Sequence, residues 1–339
     1  MWGKAIKVLT RSLVLSLFCG LVFQAPIAYA EDLQDSSVGI TTNITEPRAV
    51  KKVTLDNLDP SRVRQSAFEQ TQRKLNDSRY GRDLARHHTT PNVDWELVIL
   101  ARKQIPMMAG FYKDLVTVSD FDFIWANSKD GKKLKEIFCT KLRSCPEVKP
   151  REICNLGSGP NYYAYCHDTG ANENLFAMYL MHGYTHAVQA ALGTNHSPNW
   201  FAEGTAQYFE NHFSRIHYGI NNQSFRPDFK NTINLLYTNQ KLVKFRKNPT
   251  EQNFIDAFSA TDNRFPRNGR EQASLGYYPG ALAVEALIAT HGIDDLFAFW
   301  KNSQRKDFYL AFEEAYGITT KEFYEKLAPY AVEMIKMDR

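Results

Sequence analysis

The chain has 339 residues, 43% of them hydrophobic and 23% charged, with a formal net charge of +4. That length and apolar content support one or two domains with a real hydrophobic core. Without Lys4, Lys7 and Arg11 of the first thirty residues the net charge is +1, so nothing argues for nucleic acid or an anionic membrane surface as partner.

Residues 1–30 read as a signal peptide. A basic start is followed by an apolar run from Leu13 to Phe23, then Ala28-Tyr29-Ala30 before Glu31, the order of charge, short apolar stretch and small-residue cleavage site. The run is too short for a spanning helix, which needs about 20 residues. Cys19 follows Phe18, where a lipoprotein site would carry a small residue. The expectation is an exported chain with no membrane span after cleavage, periplasmic or secreted, of bacterial type.

Residues 31–92 read as a polar, partly disordered leader, with one possible helix from Asp59-Pro60-Ser61 to about Leu75. The main domain is expected over 93–339. Trp95 to Leu115 has a helical period broken or kinked at Pro106. Phe121 to Trp125 alternates and is rich in β-formers, so a strand is predicted there. Asp130 to Phe138 reads as a helix.

Cys139, Cys145, Cys154 and Cys166 follow. Four clustered cysteines in an exported chain suggest two disulfides. Sequential pairing is the simplest of three connectivities, and a four-cysteine zinc site is the rival, lacking tight C-x2-C knuckles. Asn155 to Asn161 reads as a turn between two strands. Its Gly-Ser-Gly is not followed by the Gly-Lys-Ser/Thr of a phosphate loop.

Asn174 to Leu192 is predicted helical, closed by Gly193. Ser197-Pro198 opens the next helix, which carries Trp200 to Asn211. Helical periods then cover Thr232–Val243, Glu251–Ser259, Tyr278–Thr290, Asp294–Ser303, Phe308–Tyr316 and Thr320–Met337. No internal repeat is visible.

The chemistry-bearing stretch is His182-Gly183-Tyr184-Thr185-His186, followed by Trp200-Phe201-Ala202-Glu203-Gly204. Histidines at i and i+4 project from one helix face and can converge on one ion. A catalytic zinc site takes three protein ligands and keeps one open position, and Glu203 is a plausible third ligand. Gln189 and Gln207, at helical spacing from His186 and Glu203, are candidates to orient the ligands. The bland alternative is two histidines at helical spacing that bind nothing.

These residues resemble the gluzincin metallopeptidases, in the H-E-Y-x-H … W-x-x-E-G-x-A-x-Y form of peptidase-MA-type proteins and bacterial collagenases. The matching positions are His182, Tyr184, His186, Trp200, Glu203, Gly204, Ala206 and Tyr208. The order helix, strand, helix, hairpin, metal helix upstream is similar too, as are Tyr277-Tyr278-Pro279-Gly280 and Phe308 to Phe323 downstream. The resemblance spans roughly Trp95 to Ala331. It implies an α+β, gluzincin-like metallopeptidase fold, in which a small mixed sheet with an edge hairpin lies over the H-x-x-x-H helix and the C-terminal half is mostly helical. It also implies Zn2+ on His182, His186 and Glu203, a peptide or protein held by β-addition, and an oxyanion donor, for which Tyr277 is the candidate and Tyr278 the alternative.

Gly183 departs from that pattern. It stands where the family's glutamate acts as general base and proton shuttle. Losing such a base costs about 10² to 10⁴ in rate. Glycine there is compatible with impaired hydrolysis, with a pseudopeptidase that binds peptide or protein in the cleft, or with a structural domain whose histidines bind nothing. It can also reflect close packing against a neighbouring strand, or a sequence difference in an otherwise active protein. Elsewhere, His87, His88 and His196 read as solvated, His291 as a helix-end residue complementing the dipole, Asp120 and Asp122 as facing water, and Trp200 and Phe201 as packing residues.

Overall fold

The computed structural model describes residues 53–77, 85–116, 121–142, 145, 147, 158–159, 162–167, 173–193, 197–218, 240–262 and 270–337. The expected signal segment, Asp120, Cys154, His196 and the first part of the helix expected at Thr232–Val243 lie outside them. The described elements are α1 (Pro60–Asp77), β1 (Arg86–Thr89), α2 (Trp95–Phe111), β2 (Asp122–Asn127), α3 (Gly131–Thr140), β3 (Ser158–Gly159), β4 (Tyr162–His167), α4 (Glu173–Ala191), α5 (Asn199–Tyr218), α6 (Gln240–Lys247), α7 (Glu251–Ser259), α8 (Arg270–Thr290), α9 (Ile293–Asn302), α10 (Phe308–Tyr316) and α11 (Thr320–Met337). This is an α+β arrangement, mostly helical, with one small sheet.

The sheet runs β1-β2-β4-β3. The first three strands are parallel, with Phe123 opposite His87 on one side and Tyr163 on the other. β3 closes the edge antiparallel to β4, pairing Ser158 with Tyr163. All six residues of β2 are buried, as befits a central strand covered on both faces. Phe123 and Trp125 face the main core, while Ile124 and Ala126 face α3 across a smaller cluster with Leu134 and Phe138. The Cys139–Cys145 disulfide closes the end of α3. Cys166 is also disulfide-bonded.

The stretch expected as a partly disordered leader joins the core from Val53 onward. Asp59 caps α1, its Oδ1 accepting from the Arg62 N–H at 3.0 Å, and Val63, Ala67, Thr71 and Leu75 form a buried stripe at steps of four. The Thr71 hydroxyl hydrogen-bonds the Tyr208 hydroxyl of α5 at 3.1 Å. β1 contributes a sheet strand, so His87 and His88 are not simply solvated. His87 Nδ1 accepts from Trp125 Nε1 at 3.0 Å, and His88 Nε2 lies 2.7 Å from Asp122 Oδ1. Asp122 faces Arg86 as well, at 2.8 Å, and is buried rather than turned to water.

Pro106 interrupts nothing: α2 runs unbroken from Trp95 to Phe111, with Asp94 accepting from the Glu96 N–H at its start. The expected start of α8 at Tyr278 is too late, since Tyr277-Tyr278-Pro279-Gly280 lies inside that helix. Among the described residues no helix is long and apolar enough to cross a membrane.

Three glycines set how closely the helices of the C-terminal half approach. A Cβ on Gly204 would lie 2.2 Å from the backbone carbon of Gly280, and one on Gly280 would lie 2.2 Å from the Trp200 oxygen. One on Gly276 would lie 2.7 Å from the Asn199 oxygen. α5 and α8 therefore cross backbone to backbone. Trp200 is fully buried beside this crossing, its Nε1 donating to the Tyr324 hydroxyl at 2.8 Å.

Candidate metal centre

α4 presents three different faces within five residues. Tyr184 is fully buried and stacks on Phe123 at 5.8 Å and on Tyr112 at 5.9 Å. Thr185 hydrogen-bonds the Tyr112 hydroxyl at 2.7 Å. His182 and His186, one turn apart, share the face that meets α5.

The two imidazoles point at one another, Nε2 to Nε2, at 3.0 Å. Glu203 Oε2 completes a triangle, 3.2 Å from His186 Nε2 and 3.5 Å from His182 Nε2. Tetrahedral zinc with bonds of about 2.0–2.1 Å holds its ligand atoms about 3.3 Å apart, and the three separations bracket that value. Among the described residues no donor is aligned for a hydrogen bond to Glu203 Oε2, although that atom is buried. Two imidazole nitrogens and one carboxylate oxygen are the donor set of a hydrolytic zinc site. The residues present fit the ion. Side-chain exposures of 15%, 22% and 9% for His182, His186 and Glu203 leave the site within reach of solvent.

The outer nitrogens of both rings have partners. His186 Nδ1 lies 2.8 Å from Gln189 Oε1, and Gln189 Nε2 donates to the Ala202 carbonyl at 2.8 Å. Gln189 therefore ties His186 to the backbone beside Glu203. Gln207 does otherwise and donates to Asn211 Oδ1 at 3.2 Å. The partner of His182 is Glu210, whose Oε2 is 2.8 Å from Nδ1. Glu210 was not singled out in the sequence. The available signal was its position two turns beyond Glu203, which puts both carboxylates on one face of α5.

Charge in the site favours a cation. Burial alone would lower the His182 pKa, but the neighbouring carboxylates of Glu203 and Glu210 push it up to about 10. Burial alone would raise Glu203, but the two imidazoles of His186 and His182 beside its carboxylate hold it far below the usual carboxylate range. The same two carboxylates that hold a proton on His182 suit a divalent ion that displaces it.

Tyr277 lies at the site, its ring stacked on that of His182 at 5.6 Å. The backbone crossing at Gly204, Gly276 and Gly280 brings α8 close enough to α5 for this. Tyr278, the alternative, is buried in the core. Gly183 faces β4. A Cβ built there would lie 1.9 Å from Cε2, 2.1 Å from Cζ and 2.5 Å from the hydroxyl of Tyr163. The Tyr163 ring is buried and packs edge-on against Phe123 at 6.0 Å. Close packing against a strand is thus a sufficient cause for glycine at 183.

No family model matches the chain, and neither the curated proteins nor the solved structures contain a match to it.

Proposed function

We propose that this chain is an exported zinc-binding protein of gluzincin metallopeptidase type, whose peptide-bond hydrolysis is impaired because Gly183 stands at the general base's position. The observation that carries the reading is the convergence of His182 Nε2, His186 Nε2 and Glu203 Oε2 at separations of 3.0 to 3.5 Å. It is supported by the sequence resemblance around those residues and by Gln189 and Glu210 behind the imidazoles. Bound zinc would supply a Lewis acid and a water of lowered pKa. The chain's own residues orient the donors, and Tyr277 offers a phenol next to His182 for a developing oxyanion. The substrate or ligand would be a peptide or protein segment, extended along the sheet edge.

One observation favours a second reading, a pseudopeptidase that retains peptide or protein without cutting it. The Tyr163 side chain occupies the space that the first atoms of a glutamate side chain at 183 would need.

The test is metal content followed by activity. Protein purified without chelator should carry about one zinc per chain by elemental analysis, and His186→Ala or Glu203→Ala should lose it. A zinc-free wild-type chain that also takes up none on titration would sink both readings. Slow gelatin hydrolysis abolished by a chelator selects the impaired peptidase. Zinc and peptide binding without hydrolysis select the pseudopeptidase.

A further inference from the structure

Around Gly183 the helix lacks more than a carboxylate. The end of the Tyr163 side chain passes through the volume that the first atoms of any side chain at 183 would need, 1.9 Å from the Cβ position at its nearest. Its hydroxyl, at 2.5 Å, lies as far from that position as two carbon–carbon bonds reach, the distance of a glutamate's carboxyl carbon. The ring is buried, is in edge contact with Phe123 and sits on a strand whose partners on both sides are fixed in register. Relief of the overlap therefore means driving a packed aromatic ring out of place, or α4 away from the sheet.

We propose that Tyr163 holds the place of the absent general base, so that Gly183 and Tyr163 form one exchanged unit: glycine on α4 with tyrosine on β4, in place of glutamate on α4 with a small residue on β4. This deepens the zinc-site reading and rests on it for its catalytic part. It places a phenol, a hydrogen-bond donor near neutral pH, where a carboxylate acceptor would otherwise take a proton from water. It also means that glutamate at 183 alone does not restore the peptidase.

The first measurement needs no metal. Thermal midpoints of the zinc-free chain are compared for wild type, Gly183→Ala, Tyr163→Ala and the double variant. Alanine is the better helix former, so relieved of the ring it should stabilise. The expected result is a reversal of sign: Gly183→Ala lowers the midpoint when Tyr163 is present and raises it, or leaves it unchanged, in the Tyr163→Ala background. Equal shifts in both backgrounds would overturn the pairing.

The second measurement uses zinc-loaded protein and gelatin. Gly183→Glu with Tyr163→Ala should cut at least 10-fold faster than Gly183→Glu alone and than wild type, toward the ~10² that a general base contributes. Stability coupling with no gain in hydrolysis would leave Tyr163 as a packing residue only and overturn its assignment to the base's place. A chain that takes up no zinc defeats the zinc-site reading and the hydrolysis arm with it, while the sign reversal still decides the steric pairing.

Discussion

Glu210 Oε2 lies 2.8 Å from His182 Nδ1, on the side of the ring away from the nitrogen that faces His186. A buried carboxylate there fixes the ring's orientation and strengthens Nε2 as a donor to an ion. Glu210→Gln keeps the shape but removes the charge. Zinc affinity, measured by competition with a chromophoric chelator, should fall about 10- to 100-fold, with the far-ultraviolet circular dichroism unchanged. Wild-type affinity in this variant would mean that Glu210 does not act on the ligand.

The α5–α8 crossing is the support for Tyr277. A methyl group at Gly204 would meet backbone atoms of Gly280 at 2.2 to 2.6 Å, and backbone cannot rotate away. Gly204→Ala should therefore destabilise the chain by about 1–3 kcal/mol in urea unfolding, as overpacking does, despite alanine's helix preference of about 1 kcal/mol. A stabilised variant would show that the two helices can separate freely.

Much of the site was legible in the sequence because it is local. His182 and His186 share a helix face by spacing alone, and Glu203 follows in a motif of its own. Tyr277 is distinguished from Tyr278 in the sequence only by its place in Y-x-x-G; in the structure its ring stacks on His182 and Tyr278 is buried in the core. What could not be read was contact between distant segments. The overlap of Tyr163 with position 183 joins a strand to a helix twenty residues on. Glu210 belongs to no motif. α1 was legible as a helix but not as a docked one, because its buried stripe is narrow and includes Ala67 and Thr71, so its polar majority masked the buried face. His88 and Asp122 looked solvated because polar residues at a strand start usually are, yet here His88 Nε2 lies 2.7 Å from Asp122 Oδ1 across neighbouring strands.

The place of α1 in the core makes a truncation informative. A chain starting at residue 93, the domain boundary the sequence suggests, loses Val63, Ala67 and Leu75 from the core and β1 from the sheet. Burying a valine or leucine side chain is worth about 1.5–3 kcal/mol, against a total stability of about 5–15 kcal/mol. Residues 93–339 should be insoluble or lack near-ultraviolet circular dichroism and cooperative melting, whereas residues 53–339 should keep both. A cooperatively folded 93–339 would show that α1 is dispensable.

Asp262, after α7, gives the chain a pH dependence of its own. Burial raises its pKa from the ordinary 3.8 to about 6, only partly offset by the hydrogen bond it accepts from the Tyr324 hydroxyl. Folding therefore favours the protonated acid. Below about pH 4 the group is protonated in both the folded and the unfolded chain and contributes no difference. As pH rises through 4 to 6 the unfolded chain ionises first, so stability falls, and above about 6 the full penalty is present. Asp262→Asn removes the charge while keeping an oxygen to accept from Tyr324. At pH 7.5 the variant should be more stable by about 1 kcal/mol, less than the shift would give in a dry site because water reaches the carboxylate. The gain should shrink between pH 6 and 4 and vanish below it, as followed by urea midpoints across the range. A gain that does not vary with pH would mean that asparagine acts by packing and not by relieving the ionised carboxylate.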